Sequence, residues 1–234
     1  MLRTIAVAAG LVLLAAAPAG GRRVQQCPVT VASGLASTGS STQLITVVAA
    51  RTTSTSGTVT LWERSAGCWT PISGSWTAWL GRHGVSAAKR EGDRRTPAGV
   101  FGIGQTMYGI ASNPGVRYPY RRIVCGDWWV EDARSPLYNR FHHVKCGAKP
   151  PFTVTSEDLS RSPTAYRHLA VIAYNAHPVV PGRGSGIFLH ASTGRPTLGC
   201  VSFPLARLIQ TLRWLRPSSA PLIAIGTRVD LASG

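Results

Sequence analysis

The sequence predicts a mainly β domain of sandwich or barrel-like type with one or two short helices. Short apolar runs rich in β-branched residues recur along the chain, turn-forming residues separate them, and a single stretch shows a helical repeat. The 234 residues include 25 glycines and 16 prolines, and 15% of them are charged. This composition is typical of a globular chain with many turns and argues against extensive disorder.

Seven short apolar segments are predicted as strands, because Val, Ile, Thr and aromatic residues favour an extended backbone. They cover residues 43–50, 57–62, 100–103, 128–130, 169–174, 186–190 and 221–227. Trp69, Trp76 and Trp79 follow the second segment at hairpin-like spacing, and we expect them to fill the core.

The clearest helix is predicted over residues 204–215. Apolar residues at helical spacing give it one buried face, namely Leu205, Leu208, Ile209 and Leu212. A proline stands near its start and Arg216-Pro217 near its end, as helix boundaries favour. Because the helix starts soon after Cys200, its positive end is expected to favour a thiolate there.

The N-terminus has the pattern of a secretory signal peptide over residues 1–19. Arg3 precedes an apolar run from Ile5 to Ala17, and cleavage is expected after Ala19. The run is short for a membrane span and no later stretch has 18 consecutive apolar residues, so the mature protein is predicted to be secreted and not integral to the membrane. An uncleaved anchor is the alternative. Residues 20–42 are then predicted to be an N-terminal segment and residues 43–234 a single folded domain.

The formal net charge is +16, from 25 Lys and Arg against 9 Asp and Glu. This charge suits an anionic partner, and for an exported protein the nearest anions are cell-wall polymers. No block of basic residues interleaved with aromatics supports nucleic-acid binding, so no nucleic-acid partner is predicted. A basic surface that serves only solubility is the alternative.

Five cysteines in a compartment that permits disulfides leave one unpaired. Local bridges Cys27–Cys68 and Cys125–Cys146 would leave Cys200 free, although the sequence alone leaves other pairings open.

Residues 184–200, GSGIFLHASTGRPTLGC, bring a strand that ends in His190 to within ten positions of Cys200. A thiol reacts as its thiolate, and a nearby imidazole can take up its proton and later return it. The backbone N–H groups of Leu198 and Gly199, with that of Cys200, are candidates to stabilise an oxyanion. Spacing alone is weak evidence, because a buried cysteine near a strand histidine is more often structural.

Four motifs in a fixed order carry a resemblance to a known family. These are GDRRTPAGVFGIG, YNAHPVVPGRGSG, GIFLH and TLGC. In this order they resemble the L,D-transpeptidase (YkuD-type) catalytic domain of bacterial peptidoglycan enzymes, over roughly residues 43–227. The resemblance implies a mostly β fold, no metal and no organic cofactor.

The resemblance also implies roles for individual residues. Cys200 falls on the family's nucleophile and His190 on its base, whose ring a carbonyl of Ala191 or Ser192 would orient. The thiolate would attack the carbonyl between residues three and four of a tetrapeptide stem, and an amine would then capture the acyl group. With water in place of the amine the enzyme would be an L,D-carboxypeptidase. Leu198 stands where the family usually has histidine, so the chain resembles a divergent member.

A second departure from the family's pattern is Ser202, which stands where the family has Arg or Asn. Both departures concern substrate recognition and leave the nucleophile and the base intact.

Other candidates are weaker. Tyr174 and Asn175 precede the strand that ends in His190 and are predicted to line the cleft, with core packing as the alternative. Arg195 is predicted to meet stem-peptide carboxylates, as are Arg94 and Arg95, although solvated arginines are commoner. The histidines lack metal-ligand spacing, so no metal site is predicted.

Two other functions remain open on the sequence. One is a non-catalytic wall-binding protein on the same fold. The other is an unrelated secreted cysteine peptidase, which the order of histidine before cysteine disfavours for papain-like enzymes.

Overall fold

The computed structural model describes Leu2, residues 26–153 and residues 155–232. Apart from Leu2, the predicted signal peptide therefore lies outside the described residues. Within the described part, no helix is long and apolar enough to cross a membrane.

Fifteen strands and two α-helices are present in the described residues. The strands are β1 (Gln43–Ala49), β2 (Ser56–Ser65), β3 (Cys68–Pro71), β4 (Trp76–Trp79), β5 (Val85–Ser86), β6 (Thr96–Pro97), β7 (Gly99–Gly109), β8 (Tyr120–Arg122), β9 (Asp127–Trp129), β10 (Phe141–His143), β11 (Glu157–Asp158), β12 (Leu169–Ile172), β13 (Phe188–Ala191), β14 (Val201–Phe203) and β15 (Leu222–Gly226). The helices are α1 (Leu205–Trp214) and α2 (Arg228–Ala232). The predicted mainly β class with one or two short helices is confirmed.

The main sheet has ten strands and closes on itself. Its strands follow the order β1-β15-β7-β12-β13-β14-β4-β2-β3, β8 is added to β7, and β2 also pairs with β1. Closure removes most free strand edges and encloses a core. A smaller sheet, β10-β9-β11, is separate from the main one.

Alternating residues of the main strands fill the enclosed core. On β1 and β2, for example, Ile45, Val47, Val59 and Leu61 are at most 1% exposed. Helix α1 packs Leu208 and Leu212 into the same core, as its apolar periodicity predicts. A second cluster joins Ala32 and Leu35 to β1 and to Leu231 of α2, so residues of the predicted N-terminal segment pack against the domain. The boundary between residues 42 and 43 remains a prediction.

Each of the seven predicted segments contains a strand, but one strand is much longer than predicted and several short strands were not predicted. Strand β7 runs from Gly99 to Gly109, well beyond the predicted residues 100–103, because it pairs with β15, β12 and β8. Strand β14, which was not predicted, lies between Cys200 and α1. Helix α1 begins at Leu205, one residue after its predicted start, and three buried residues that pair with β13 and β4 separate it from the cysteine.

Both predicted disulfides are present, and Cys200 is free and buried. Cys27–Cys68 closes a loop of 41 residues and Cys125–Cys146 one of 21. Loop closure of this size stabilises a folded chain by roughly 3–4 kcal/mol each. The second bridge encloses β9 and β10, which carry residues of the site described next.

Candidate active site

Strands β13 and β14 place the two predicted reactive residues on one face of the sheet. They pair in parallel, with Leu189 opposite Val201 and His190 opposite Ser202. Since side chains alternate along a strand, Leu189 and Val201 enter the core while His190 and Ser202 face the other side. Cys200 immediately precedes β14 and thus lies beside the start of β13.

The Cys200 thiol contacts the backbone that leads into β13. Its Sγ lies 3.2 Å from the carbonyl oxygen of Gly186, to which the thiol donates, and accepts the N–H of Phe188 at 3.3 Å. Apolar side chains surround it, including Trp129 and Tyr166, and the residue is 9% exposed. The resting thiol is therefore held against the backbone in an apolar pocket.

The His190 ring is oriented by the backbone. Its Nδ1 lies 2.8 Å from the carbonyl oxygen of Ala191, which directs the Nδ1 proton to that carbonyl and leaves Nε2 to accept one. Tyr166 packs edge-on against the ring at 5.6 Å between centroids. Of the two predicted orienting carbonyls, Ala191 makes the contact. No hydrogen bond joins the His190 ring and the Cys200 thiol within the described residues.

Threonine hydroxyls fix the loop that carries the cysteine. Thr197 Oγ1 donates to the carbonyl oxygen of Cys200 at 2.6 Å and accepts the N–H of Gly199 at 3.1 Å. Thr96 Oγ1 donates to the same carbonyl at 3.3 Å. The Gly199 N–H is thus engaged in this conformation, whereas those of Leu198 and Cys200 have no acceptor among the described residues. The role of Leu198 and Gly199 in holding an oxyanion stays a prediction.

Position 199 requires glycine, because of its backbone conformation and the close approach of a neighbouring loop. Its φ is +146°, and a Cβ there would lie 3.0 Å from the carbonyl oxygen of Arg95. The loop of residues 89–95 therefore packs directly against the residue before the nucleophile.

The charges of Glu157 and Glu131 act on the thiol and that of Glu91 acts on Glu131, and sequence reasoning missed all three glutamates. Glu157 accepts a hydrogen bond from Tyr166, and Glu91 accepts from Tyr138 and, at 2.6 Å, from Ser185. The Glu131 carboxylate lies over Gly186, where it would overlap a Cβ. It has no hydrogen-bond donor within the described residues. The chain has only 9 acidic residues against 25 Lys and Arg. Because acidic residues are so few, each of them could have been considered as a candidate site residue.

Burial sets the protonation of the site. It lowers the pKa of His190 to about 4, although the hydrogen bond to Ala191 acts in the opposite sense. It raises the pKa of the Cys200 thiol far above its usual value, and the charges of Glu157 and Glu131 raise it further. Burial also raises the pKa of Glu131 to about 8, with Glu157 and Glu91 adding to the effect. The resting site therefore holds a neutral thiol beside a neutral imidazole at pH 7.

Asn139 holds the segment that leads into β13. Its Oδ1 accepts the indole N–H of Trp129 at 2.9 Å and the backbone N–H of Gly186 at 3.1 Å. Its Nδ2 donates to the carbonyl oxygens of Tyr174 and Asn175 at 3.2 and 2.8 Å. Because Gly186 accepts the thiol proton of Cys200, Asn139 also fixes the position of that acceptor. Nothing in the local sequence around Asn139 indicates this role.

The remaining predicted residues lie outside the immediate surroundings of the thiol. Tyr174 is 7% exposed, packs edge-on against Phe101 at 5.6 Å and donates to the carbonyl oxygen of Arg183 at 2.7 Å. Asn175 closes its own loop by donating to the carbonyl oxygens of Val180 and Gly184, each at 2.9 Å. Arg195 is exposed on the loop between β13 and β14. Their contact with substrate stays a prediction.

Ser192 and Ser202 take different positions beside β13 and β14. The backbone N–H of Ser192 donates to the carbonyl oxygen of Phe203 at 2.7 Å, which joins the two strands just beyond His190. Ser202 is 1% exposed, and its hydroxyl has no partner within the described residues.

The sequence was compared with models of known protein families. The model of the L,D-transpeptidase catalytic domain, YkuD, matches residues 29–231. The chain belongs to the YkuD family of L,D-transpeptidase catalytic domains. This confirms the resemblance drawn from the four motifs, and it supports an L,D-transpeptidase-like function with peptidoglycan as substrate. Searches of curated proteins and of solved structures returned no match.

Glutamine in place of Glu131 is expected to stabilise the protein increasingly as the pH rises from 5 to 8. The folded pKa of Glu131, about 8, exceeds the ordinary value of 4.5, so the folded chain holds a proton that the unfolded chain has lost. Stability therefore falls with rising pH in this window, and glutamine removes the effect. Each 1 kcal/mol regained raises Tm by about 2–4 °C. Thermal unfolding of both proteins at pH 5 and pH 8.5 measures the difference.

Glu63→Gln is the control, because Glu63 pairs with Trp214 and Arg216 on another part of the sheet. A Glu131→Gln effect on Tm that does not change with pH would contradict the assignment.

Proposed function

We propose that the protein is an exported L,D-transpeptidase-like cysteine acyltransferase that acts on tetrapeptide stems of peptidoglycan through a thioester on Cys200. One observation carries this proposal. The parallel pairing of β13 and β14 brings the single free cysteine of the chain to the face that bears His190, whose ring is oriented by Ala191. The two disulfides and the charge of +16 are compatible with an extracytoplasmic protein that meets anionic wall polymers.

The first half-reaction forms the thioester. The thiol turns from the Gly186 carbonyl toward His190, and Nε2 takes its proton. The thiolate sulfur attacks the carbonyl carbon of stem residue three, and the negative charge develops on the carbonyl oxygen. The bond to the nitrogen of residue four then breaks, and that nitrogen takes the proton from the imidazolium. The terminal residue leaves as a free amino acid.

The second half-reaction releases the acyl group. An amine from a second stem attacks the thioester carbonyl, and His190 accepts the proton that the amine loses. The sulfur leaves as thiolate and regains that proton from His190. The product is a 3→3 cross-link, or a tripeptide stem when water replaces the amine.

The backbone supplies stabilisation for the oxyanion. The N–H groups of Cys200 and Leu198 have no acceptor within the described residues and belong to the nucleophile and to the residue two positions before it, so they suit this role. A donor of this kind contributes about 10²–10³-fold to the rate of acyl transfer.

A second function, a non-catalytic wall-binding protein, is favoured by one observation. The thiol donates to the Gly186 carbonyl and has no hydrogen bond to His190 in the described structure. Catalytic hydrogen bonds are often loose before substrate binds, so we place this function second.

The test is mass analysis of purified tetrapeptide stems after incubation with the wild type or with Cys200→Ala. We expect the wild type to release the terminal residue and to give cross-linked dimers or tripeptides, and Cys200→Ala to give neither. If the folded wild type leaves the stems intact while it still binds peptidoglycan, the wall-binding function replaces the enzymatic one.

A further inference from the structure

Lys89 is a buried cation near the nucleophile that the proposed reaction does not use. Its side chain is 3% exposed, and its Nζ donates to Asp93 Oδ1 at 2.9 Å and to the carbonyl oxygen of Arg90 at 3.3 Å. Burying an ammonium costs several kcal/mol even when it is paired. The burial of Lys89 therefore needs the hydrogen bonds that Asp93 and Arg90 provide.

Asp93 secures this lysine within a tight loop. Its carboxylate also accepts the backbone N–H groups of Arg90 at 2.8 Å and of Arg95 at 2.9 Å. Residues 89–95 thus fold around one carboxylate, which fixes the Lys89 side chain relative to the backbone.

The Lys89 side chain lies between the two segments that carry the reactive residues. A Cβ on Gly184 would lie 2.9 Å from Lys89 Cε, and a Cβ on Gly199 would lie 3.5 Å from Nζ. Gly184 begins the segment leading to His190, and Gly199 immediately precedes Cys200. The ammonium group is therefore held next to the nucleophile while the side chain remains out of reach of solvent.

The position of Lys89 affects the ionisation of the Cys200 thiol, because the other charged groups near the thiol are carboxylates. Glu157 and Glu131 oppose ionisation of Cys200, whereas Lys89 favours it. The other titratable groups that face the thiol are neutral at pH 7, because burial lowers the pKa of His190 and raises the pKa of Tyr166. Lys89 is therefore the group that counters the carboxyl groups of Glu157 and, above about pH 8 where it ionises, Glu131.

We propose that Lys89 is a positioning residue whose buried ammonium, held between residues 184–186 and 197–200, supplies the positive charge that makes the Cys200 thiolate accessible. It acts through Cys200 and does not touch the substrate. The inference rests on the proposed function in that Cys200 is taken as the nucleophile.

The test measures thiolate formation without any substrate. Iodoacetamide alkylation of Cys200 is followed against pH by intact-protein mass spectrometry, since the other four cysteines are bridged. In Lys89→Met, which keeps the length of the apolar stem, we expect the alkylation rate at a fixed pH below the midpoint to fall about 10-fold, as a one-unit shift requires. In Lys89→Arg the charge remains, and the alkylation rate at the same pH should return toward that of the wild type.

Asp93→Asn is the matched variant that separates charge from structure. It loosens the same loop but removes the negative partner of Lys89, so the alkylation rate is expected to rise about 3-fold or more. Damage to the loop alone would move Lys89→Met and Asp93→Asn in the same direction.

The proposal is overturned if Lys89→Met leaves the alkylation rate at the fixed pH unchanged, or if Asp93→Asn leaves that rate unchanged or lowers it. Should Lys89→Met not fold, Asp93→Asn and Lys89→Arg still decide between these outcomes. The measurement does not depend on stem cleavage. A failure of the proposed function would therefore show separately, as stems left intact by a protein whose alkylation rates still change as expected in the Lys89 and Asp93 variants.

Discussion

Alanine in place of His190 is expected to lower stem-peptide turnover by about 10³-fold, within the range that general acid–base catalysis contributes. The ring lies on the face of the sheet to which β14 brings Cys200, and the Ala191 carbonyl holds it in one tautomer. Steady-state release of the terminal residue measures the effect. His177→Ala is the control, because His177 is exposed on a loop away from β13. Near wild-type turnover in a folded His190→Ala protein would remove His190 from the mechanism.

The pH profile gives the same assignment a second test. Because burial lowers the pKa of His190 to about 4, the ring stays neutral and able to accept a proton well below pH 6.5. Activity is therefore expected to persist to about pH 5 and to be lost as the pH falls through 4. An acid limb centred near the ordinary histidine pKa would show that the ring is solvated in the working enzyme.

A carbapenem is expected to form a stable thioester on Cys200, detected as one drug-sized adduct on the intact protein. The strained β-lactam carbonyl is an activated amide, and a thiolate beside backbone N–H donors opens it as it would the stem peptide. Cys200→Ala should show no adduct, and His190→Ala should react far more slowly. Leu198, which is 66% exposed beside the thiol, changes the pocket and affects the rate more than the outcome.

The adduct is expected to be either present on Cys200 or absent, so the experiment separates a reactive cysteine from an unreactive one. An adduct on a residue other than Cys200 would contradict the assignment. So would the absence of any adduct after prolonged incubation with excess drug, provided that iodoacetamide alkylates the same preparation.

The sequence predicted those parts of the fold that depend on local pattern. Apolar runs predicted β1, β13 and β15, and helical spacing predicted α1. The full length of β7 was not predictable, because Gly102, Gly104 and Gln105 interrupt its apolar pattern and pairing with neighbouring strands extends it. Strand β14 was missed for a similar reason, since three residues form a strand only beside β13 and β4.

The site likewise contains residues that the sequence pattern predicted and residues that it did not. Cys200 and His190 lie within one 17-residue motif, so their spacing and order were visible in the chain. Lys89, Glu131 and Asn139 come from distant loops, and their spacing from Cys200 carries no pattern. Only tertiary structure brings them together, and Gly184, Gly186 and Gly199 leave room for the side chains of Lys89 and Glu131.

The parallel pairing of β13 and β14 makes the reactive centre independent of residues 193–195, the exposed tip of the loop that joins the two strands. Ladder hydrogen bonds and the contacts of Thr197 hold His190 and Cys200 in place, while Thr193, Gly194 and Arg195 are exposed to solvent. This tip is expected to gain, lose or exchange residues without moving either reactive atom, as surface loops generally tolerate. Residues 193–195 are therefore a suitable place to introduce substitutions that change the preferred acceptor while Cys200 and His190 stay unchanged.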